Sequence, residues 1–187
     1  MREKTLQGKA IRAAVACAMM AALSASAATR VYWTNATGDK SIQTAGNWKD
    51  EAGNVLTTAP KSGESYGIIL VFTNFAGTVT TTLDGYYYYG YMFGEGASVS
   101  LGTSRNFYIY GGGVTHEGAS GVNVLNYTVN LRAATNVFDV VHPGAEIQIG
   151  NTLAGGDTRV LLKRGKGTLL TPASSGSRVE NIKEVVM

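Results

Sequence analysis

The sequence is poor in cysteine, in proline and in charge. Its 187 residues include one Cys, Cys17, and three Pro, and only 16% are Asp, Glu, Lys or Arg. A single cysteine excludes a scaffold held by several internal disulfides. The low charge and a hydrophobic content of 44% exclude an intrinsically disordered chain. What is abundant instead is Gly, 24 residues, together with many Thr, Val, Tyr and Asn, which is typical of an all-β chain with many tight turns.

The N-terminal segment, residues 1–27, has the layout of a secretory signal peptide. A basic segment over residues 1–12 precedes the apolar run Ala13–Leu23, and the small residues Ala25–Ala27 follow it. The apolar run is shorter than the roughly 20 residues that span a bilayer. We therefore predict a signal peptide over residues 1–27 and an exported protein that is extracellular, on the outer cell surface or in the periplasm. Its loss would also remove Cys17.

Removal of this segment changes the charge balance. Four of the 16 basic residues and one of the 13 acidic residues lie in it, which leaves twelve of each and a formally neutral mature chain. A nucleic-acid partner needs a clustered basic surface. The only basic cluster of the mature chain lies between Arg159 and Lys166. The sequence thus predicts no nucleic-acid partner and no transmembrane segment in the mature chain.

Residues 28–75 contain both tryptophans and many turn residues. The segment begins with a short apolar stretch that includes Trp33, passes through a Gly-Asn-Trp triplet ending at Trp48, and closes on the apolar run Tyr66–Phe72. We interpret the region as an N-terminal cap, in which the two tryptophans close the end of the core. The alternative is that their rings stack on sugars.

Residues 76–187 alternate short β-rich segments with turns rich in Gly, Asn and Ser. The segments in the first three quarters of this region are Val79–Leu83, Tyr86–Phe93, Ser98–Leu101, Asn106–Tyr110, Val122–Leu131, Asn136–Val141 and Glu146–Gly150. Gly111–Gly113 falls between two of them and is predicted to be a turn. Strands this short, without two-residue hairpin turns, favour a right-handed parallel β-helix. A β-sandwich has the same composition and remains the alternative.

The stretch Arg159–Thr171, RVLLKRGKGTLLT, carries a family resemblance. It resembles the K-x-G-x-G-T-L unit of the autotransporter-associated β-strand repeat of large secreted bacterial proteins. The order of units from Gly111 onward is similar to that family as well. The resemblance implies a β-helix of the secreted passenger type. This chain departs from the pattern at Pro172, where the family continues with alternating apolar residues, and it is far shorter than most members. We expect either a short member or part of a longer repeat protein.

The residues that could carry chemistry are dispersed. β-Helix enzymes that cleave polysaccharides bring carboxylates together from adjacent coils. The acids that stacking could align here are Asp84, Glu117, Asp139 and Asp157. The two histidines, His116 and His142, lack the spacing of a metal site. We predict no enzyme activity, no metal and no cofactor, with a polysaccharide lyase or hydrolase as the least favoured hypothesis.

The tyrosine run Tyr86–Tyr89 is the most unusual feature of the sequence. In a strand, alternate side chains face opposite sides, so Tyr87 and Tyr89 are predicted to share one face. That face could form an exposed aromatic stripe, stacked with Phe107 or Tyr108 of the next coil, or it could be a structural ladder. We expect a structural or adhesive module at the cell surface. The alternative is a carbohydrate-binding module that stacks sugars on Tyr87, Tyr89, Trp33 and Trp48, with extracellular polysaccharide or cell-surface components as partners.

Overall fold

The structure is a computed structural model that describes most of the chain after residue 27. The described ranges are 28–61, 67–80, 86–102, 106–126, 128–155, 159–171, 179–180 and 184–187, and only the backbone is described for residues 86–87, 179–180 and 184–186. The predicted signal peptide, residues 1–27, lies outside them. Within these ranges the chain is built of strands and one single-turn 3₁₀ helix, Ala45–Asn47, so it offers no helix that could cross a membrane.

Sixteen strands account for the regular structure of the described ranges. In chain order they are β1 (Thr29–Trp33), β2 (Trp48–Lys49), β3 (Ile68–Phe72), β4 (Ala76–Val79), β5 (Tyr86–Phe93), β6 (Ser98–Leu101), β7 (Phe107–His116), β8 (Ser120–Leu125), β9 (Val129–Leu131), β10 (Thr135–Val140), β11 (Gly144–Ile149), β12 (Leu153–Ala154), β13 (Val160–Arg164), β14 (Thr168–Leu170), β15 (Val179–Glu180) and β16 (Glu184–Val186). They form an eleven-stranded sheet and a five-stranded sheet, the latter made of β4, β6, β8, β11 and β14.

The chain passes repeatedly from the large sheet to the small one and back, so that each passage lies on the one before. Every strand pair except β1–β2 is parallel. The result is a β-solenoid of about 4 turns. Parallel pairing between successive passages excludes the β-sandwich, whose sheets are antiparallel. The predicted all-β solenoid is therefore confirmed.

The register shows that the coils differ in length while their strands stay aligned. Along one row of the large sheet, Leu70 pairs with Tyr91, Tyr91 with Val114, Val114 with Phe138, and Phe138 with Lys163. Each pair in this row is separated by a longer stretch of sequence than the pair before it. The added residues are accommodated at corners and bulges, and the strands are not shifted.

The core is a set of inward-facing columns between the two sheets. In one column Phe72, Phe93, His116 and Val140 lie in register, and all four are buried. The rings of Phe72 and Phe93 stack with centroids 5.8 Å apart and an interplanar angle of 23°. Inward residues stack on inward residues because each coil repeats the inward and outward alternation of the coil below it.

The turn predicted at Gly111–Gly113 is wrong, because these glycines lie inside β7. They belong to a bulge where Tyr89 of β5 faces extra residues of β7, between the pairs Tyr88–Ile109 and Gly90–Gly113. The sequence suggests a turn because consecutive glycines usually mark one. Here the Tyr89 ring and the neighbouring backbone approach the glycines so closely that a side chain would not fit.

The N-terminal cap is a loop organised around the buried amide of Asn47. Its Oδ1 accepts hydrogen bonds from the backbone N–H of Thr37 at 3.0 Å and from the Thr37 hydroxyl at 2.7 Å. Its Nδ2 donates to a carboxylate oxygen of Asp39 at 2.6 Å and to the Ser41 carbonyl at 3.0 Å. Both ends of the amide are thus satisfied, which allows a polar side chain to be fully buried.

Asp39 holds the exposed side of the same loop. Its carboxylate accepts from the Thr44 hydroxyl at 2.5 Å and from the Ser41 backbone N–H at 2.9 Å. These bonds favour the charged form and lower the pKa of Asp39 to about 2. The cap is therefore shaped by side-chain hydrogen bonds within a short stretch of sequence.

Candidate binding surface

The tyrosine run divides between the core and the surface as strand alternation requires. Tyr88 is buried, and its hydroxyl donates to the Pro60 carbonyl at 3.2 Å. Burial raises the pKa of Tyr88. Phe107 of the next coil is also buried, whereas the neighbouring Tyr108 is half-buried and points outward. In the register Tyr87 pairs with Tyr108, which puts both at outward positions of adjacent strands, although the side chain of Tyr87 is outside the described part.

Tyr89 is half-buried and lies across the glycines of β7. A Cβ atom added to Gly111 would be 2.7 Å from the Tyr89 hydroxyl oxygen, and one added to Gly112 would be 2.6 Å from the Tyr89 ring. The ring therefore packs directly on backbone that carries no side chain. Much of its surface is used in this contact, which gives Tyr89 a structural role in joining β5 to β7.

The charged side chain of Arg132 lies over the ring of Tyr108. The guanidinium carbon of Arg132 lies 4.9 Å from the centroid of the Tyr108 ring, a cation–π contact. Arg132 is itself exposed, and the amide of exposed Asn106 lies 3.5 Å from the Tyr108 hydroxyl. Asn130 pairs with Tyr108 in the register, and its buried Nδ2 has no hydrogen-bond partner in the described part of the chain. We call Tyr108, Arg132, Asn130 and Asn106 the tyrosine face.

Trp33 and Trp48 are not part of any surface. They are 3% and 0% exposed, and their rings meet edge to face with centroids 5.0 Å apart. Trp48 Nε1 donates to the Ile42 carbonyl at 2.9 Å, and Phe72 lies 5.7 Å from the Trp48 ring. Because a sugar needs an open ring face, we drop these two residues from the set of glycan-stacking candidates. Both rings pack on Phe72 where β1 and β2 end the large sheet.

The carboxylates considered for catalysis do not form a cluster within the described ranges. Asp84 and Asp157 lie outside those ranges. Glu117 is exposed in the turn after β7, and Asp139 is half-buried on β10. No group of three or more His, Cys, Asp or Glu side chains there could hold a metal ion. The two histidines also differ in burial, since His116 lies in the core and His142 is exposed.

A cavity of about 580 Å³ opens beside the coil of β13 and β14. Its lining comes from β13, β14, the glycine turn between them and Met187: Leu161, Lys163, Gly165, Gly167, Thr168, Leu169, Thr171 and Met187. The Lys163 ammonium donates to the Gly165 carbonyl at 2.8 Å, so this charged group, which belongs to the described part of the lining, is bound to its own turn.

Sequence reasoning found Tyr108 but missed its partners. Arg132 follows the alternating stretch Val129–Leu131, and Asn130 is the outward member of that stretch. The period-2 pattern could have indicated the outward position of Asn130. The contact between Arg132 and Tyr108 could not be found in this way, because it depends on the register between successive coils.

Comparisons with models of protein families, with curated proteins and with solved structures gave no match. The fold and the surface described above are therefore the observations from which a function must be inferred.

Proposed function

We propose that this chain is an exported, non-catalytic β-solenoid module with a structural or adhesive role at the cell surface. The observation that supports it is the in-register parallel stacking of the coils. Outward residues of successive coils form continuous columns with a repeat of about 4.8 Å. A partner can contact such a column at several successive points, so affinity would be spread along a face and would not require a deep pocket.

The experiment scores binding and cleavage together. The purified protein is incubated with a panel of neutral and acidic polysaccharides and with bacterial cell-wall material, and retention and newly formed chain ends are measured in the same tubes. Retention without new chain ends is the expected result. Cleavage in any tube would overturn the non-catalytic proposal, and failure to bind any surface material would overturn the adhesive role.

A second candidate function is carbohydrate binding at the tyrosine face. Arg132 covers one face of the Tyr108 ring, so a neutral sugar would have to displace it in order to stack there. The guanidinium is exposed and keeps its N–H groups available, and this planar fork matches a carboxylate group. The arrangement favours an acidic polysaccharide, such as one built from uronic acids, over a neutral one.

The second candidate is tested with Arg132→Gln and a matched control, Arg30→Gln. Arg30 is also exposed but lies on β1, four strands from β9 in the large sheet. We expect Arg132→Gln to weaken retention on polygalacturonate about tenfold, on the order of one lost charge-assisted hydrogen bond, and Arg30→Gln to leave it unchanged. Equal losses in both variants would indicate nonspecific charge attraction and overturn the site.

A further inference from the structure

One inward column of apolar side chains contains a polar residue at the coil formed by β7 and β8. Phe72, Phe93, His116 and Val140 are in register, and His116 is the polar member. Its side chain is 0% exposed, and its ring meets the ring of Phe93 edge to face at 6.2 Å. An aliphatic or aromatic residue would fit the column, so the imidazole is the exception that needs an explanation.

The small sheet also has a buried polar residue, Asn123, in the same coil. Asn123 of β8 is buried, and it pairs in register with Ile147 of β11. Its Oδ1 accepts from the backbone N–H of Val99 at 2.8 Å, and its Nδ2 donates to the Ala97 carbonyl at 3.3 Å. Ladder pairing between β6 and β8 is limited to Ser100–Val124 and Leu101–Leu125. The Asn123 side chain thus replaces main-chain bonds where the ladder is missing.

The two exceptions touch each other. Asn123 Nδ2 lies 3.4 Å from Nδ1 and 3.3 Å from Nε2 of His116. Glycines close the space around the ring: a Cβ on Gly118 would be 3.2 Å from His116 Nε2, and one on Gly121 would overlap the Ala97 carbonyl oxygen. The backbone of the turn before β8 therefore lies close against the imidazole.

The orientation of the amide disfavours the protonated histidine. Because Asn123 Oδ1 is bound to the Val99 N–H, the amide must present its NH₂ group to the imidazole. Those hydrogens carry positive partial charge and suit a neutral ring, whereas an imidazolium would repel them. Flipping the amide would leave the Val99 N–H without its acceptor, at a cost typical of a lost buried hydrogen bond.

The charges around His116 do not compensate for burial. Glu95 of the coil below and His142 of the coil above act in opposite senses, and the adjacent Glu117 is exposed to solvent. Hydrogen bonding to the backbone of Glu146 and Ser120 favours the charged ring. Burial outweighs these effects and lowers the pKa of His116 below its usual value of 6.5.

We propose that His116 and Asn123 form a proton-sensitive lock, which holds the coil of β7 and β8 closed on β6 while the imidazole is neutral and loosens this contact in mild acid. The sign follows from the charge states. The unfolded chain takes up a proton near pH 6.5, and the folded chain resists it until the pH is lower. The stability is therefore fully present above pH 6.5 and falls as the pH drops below that value.

Denaturant unfolding of the purified protein between pH 7.5 and pH 5 tests the lock, with two variants. His116→Phe extends the aromatic column and removes the titrating group, and His142→Gln removes the exposed histidine as the matched control. We expect the unfolding equilibrium constant of the unmodified protein and of His142→Gln to rise by up to about tenfold per pH unit below pH 6.5. His116→Phe should be flat over this window. A flat profile of the unmodified protein, or an unchanged slope in His116→Phe, would overturn the proposal.

Two further measurements apply even if His116→Phe does not fold. The ring resonances of His116 in the unmodified protein, followed by NMR against pH, should give a protonation midpoint below pH 6.5. A ring already half protonated at pH 6.5 would overturn the lock. Hydrogen exchange at pH 5.5 should increase most in β6 and β8, after correction for the intrinsic pH dependence of exchange. A uniform increase over all strands would show that acid acts elsewhere and would also overturn it.

Discussion

The cap and the coils achieve order in different ways. In the cap, Asn35 and Lys40 adopt positive φ angles of 52° and 58°, and the loop is fixed by hydrogen bonds to Asn47 and Asp39 that span at most 13 residues. In the coils, strands are fixed by main-chain pairing to partners one full coil away along the sequence. The difference teaches that the cap loop is specified mainly by side chains close in sequence, with main-chain bonds between Lys40, Ile42 and Thr80 tying it to the coils. The coils are specified by how closely one backbone can approach another.

The largest loss of stability is expected when a buried aromatic ring is removed from either region. Trp48→Ala removes a fully buried ring of the cap and Phe93→Ala removes one of the coils, and each should destabilise the protein by about 3–5 kcal/mol. Because β1 pairs with β3 over four residues, we expect both variants to unfold in a single transition, measured by circular dichroism in denaturant. A separate early transition in Trp48→Ala alone would show that the cap unfolds independently of the coils.

Alanine substitution at two glycine turns distinguishes the stability cost of a positive φ angle from the cost of a steric overlap. Gly53 in the cap and Gly165 in the turn between β13 and β14 have positive φ angles of 87° and 74°. An added Cβ would meet nothing within 4 Å at Gly53, but would overlap the Val140 carbonyl oxygen at Gly165. Both alanine variants should lose about 1–2 kcal/mol from the φ angle, and Gly165→Ala should lose roughly 1–3 kcal/mol more from overpacking. Equal losses in thermal or denaturant unfolding would contradict the role of close approach in the coils.

The amide of Asn47 should matter more than other cap asparagines. Asn47→Ala leaves the Thr37 backbone N–H without its acceptor, and we expect a loss of about 1–3 kcal/mol in the free energy of unfolding. Asn54→Ala is the matched control, because Asn54 bonds to Asp50 in an exposed turn, where a substitution should change stability by about 0.5 kcal/mol or less. Similar losses in the two variants would indicate that the buried network does not organise the cap.

The smallest effect is the acid response of the cap. The pKa of Asp39 is lowered from 3.8 to about 2, so its contribution is present above pH 3.8 and is lost as the pH falls toward 2. We expect Asp39→Asn to reduce the pH dependence of stability in this window, measured by denaturant unfolding at fixed ionic strength. The window lies well below the pH at which the unfolded chain protonates His116. An unchanged dependence below pH 4 would show that the Asp39 hydrogen bonds do not survive in solution.

Much of the strand pattern could be predicted from sequence. The segments Tyr86–Phe93 and Ser98–Leu101 are predicted with the bounds that the structure gives to β5 and β6. Alternation also separates outward Tyr108 from inward Phe107, because a strand with one buried face must alternate. The stretch Val122–Leu131 is predicted as one segment, but the structure divides it into β8 and β9 at a corner.

The features that could not be predicted depend on contacts between coils. Gly111–Gly113 resembles a turn until the ring of Tyr89 is placed against it. His116 gives no sequence signal of its burial, since its column partners Phe93 and Val140 become neighbours through the register alone. The resemblance to the autotransporter-associated β-strand repeat stays a prediction, as does the signal peptide over residues 1–27.

The variation in coil length along the solenoid has a consequence for how the molecule can change. Because added residues are absorbed at corners, the strands on either side keep their partners. The corner between β11 and β12 contains the exposed Asn151, where a peptide could thus be inserted while the ladders around it persist. A solenoid of this kind can acquire new loops, and with them new recognition, one corner at a time without redesign of its core.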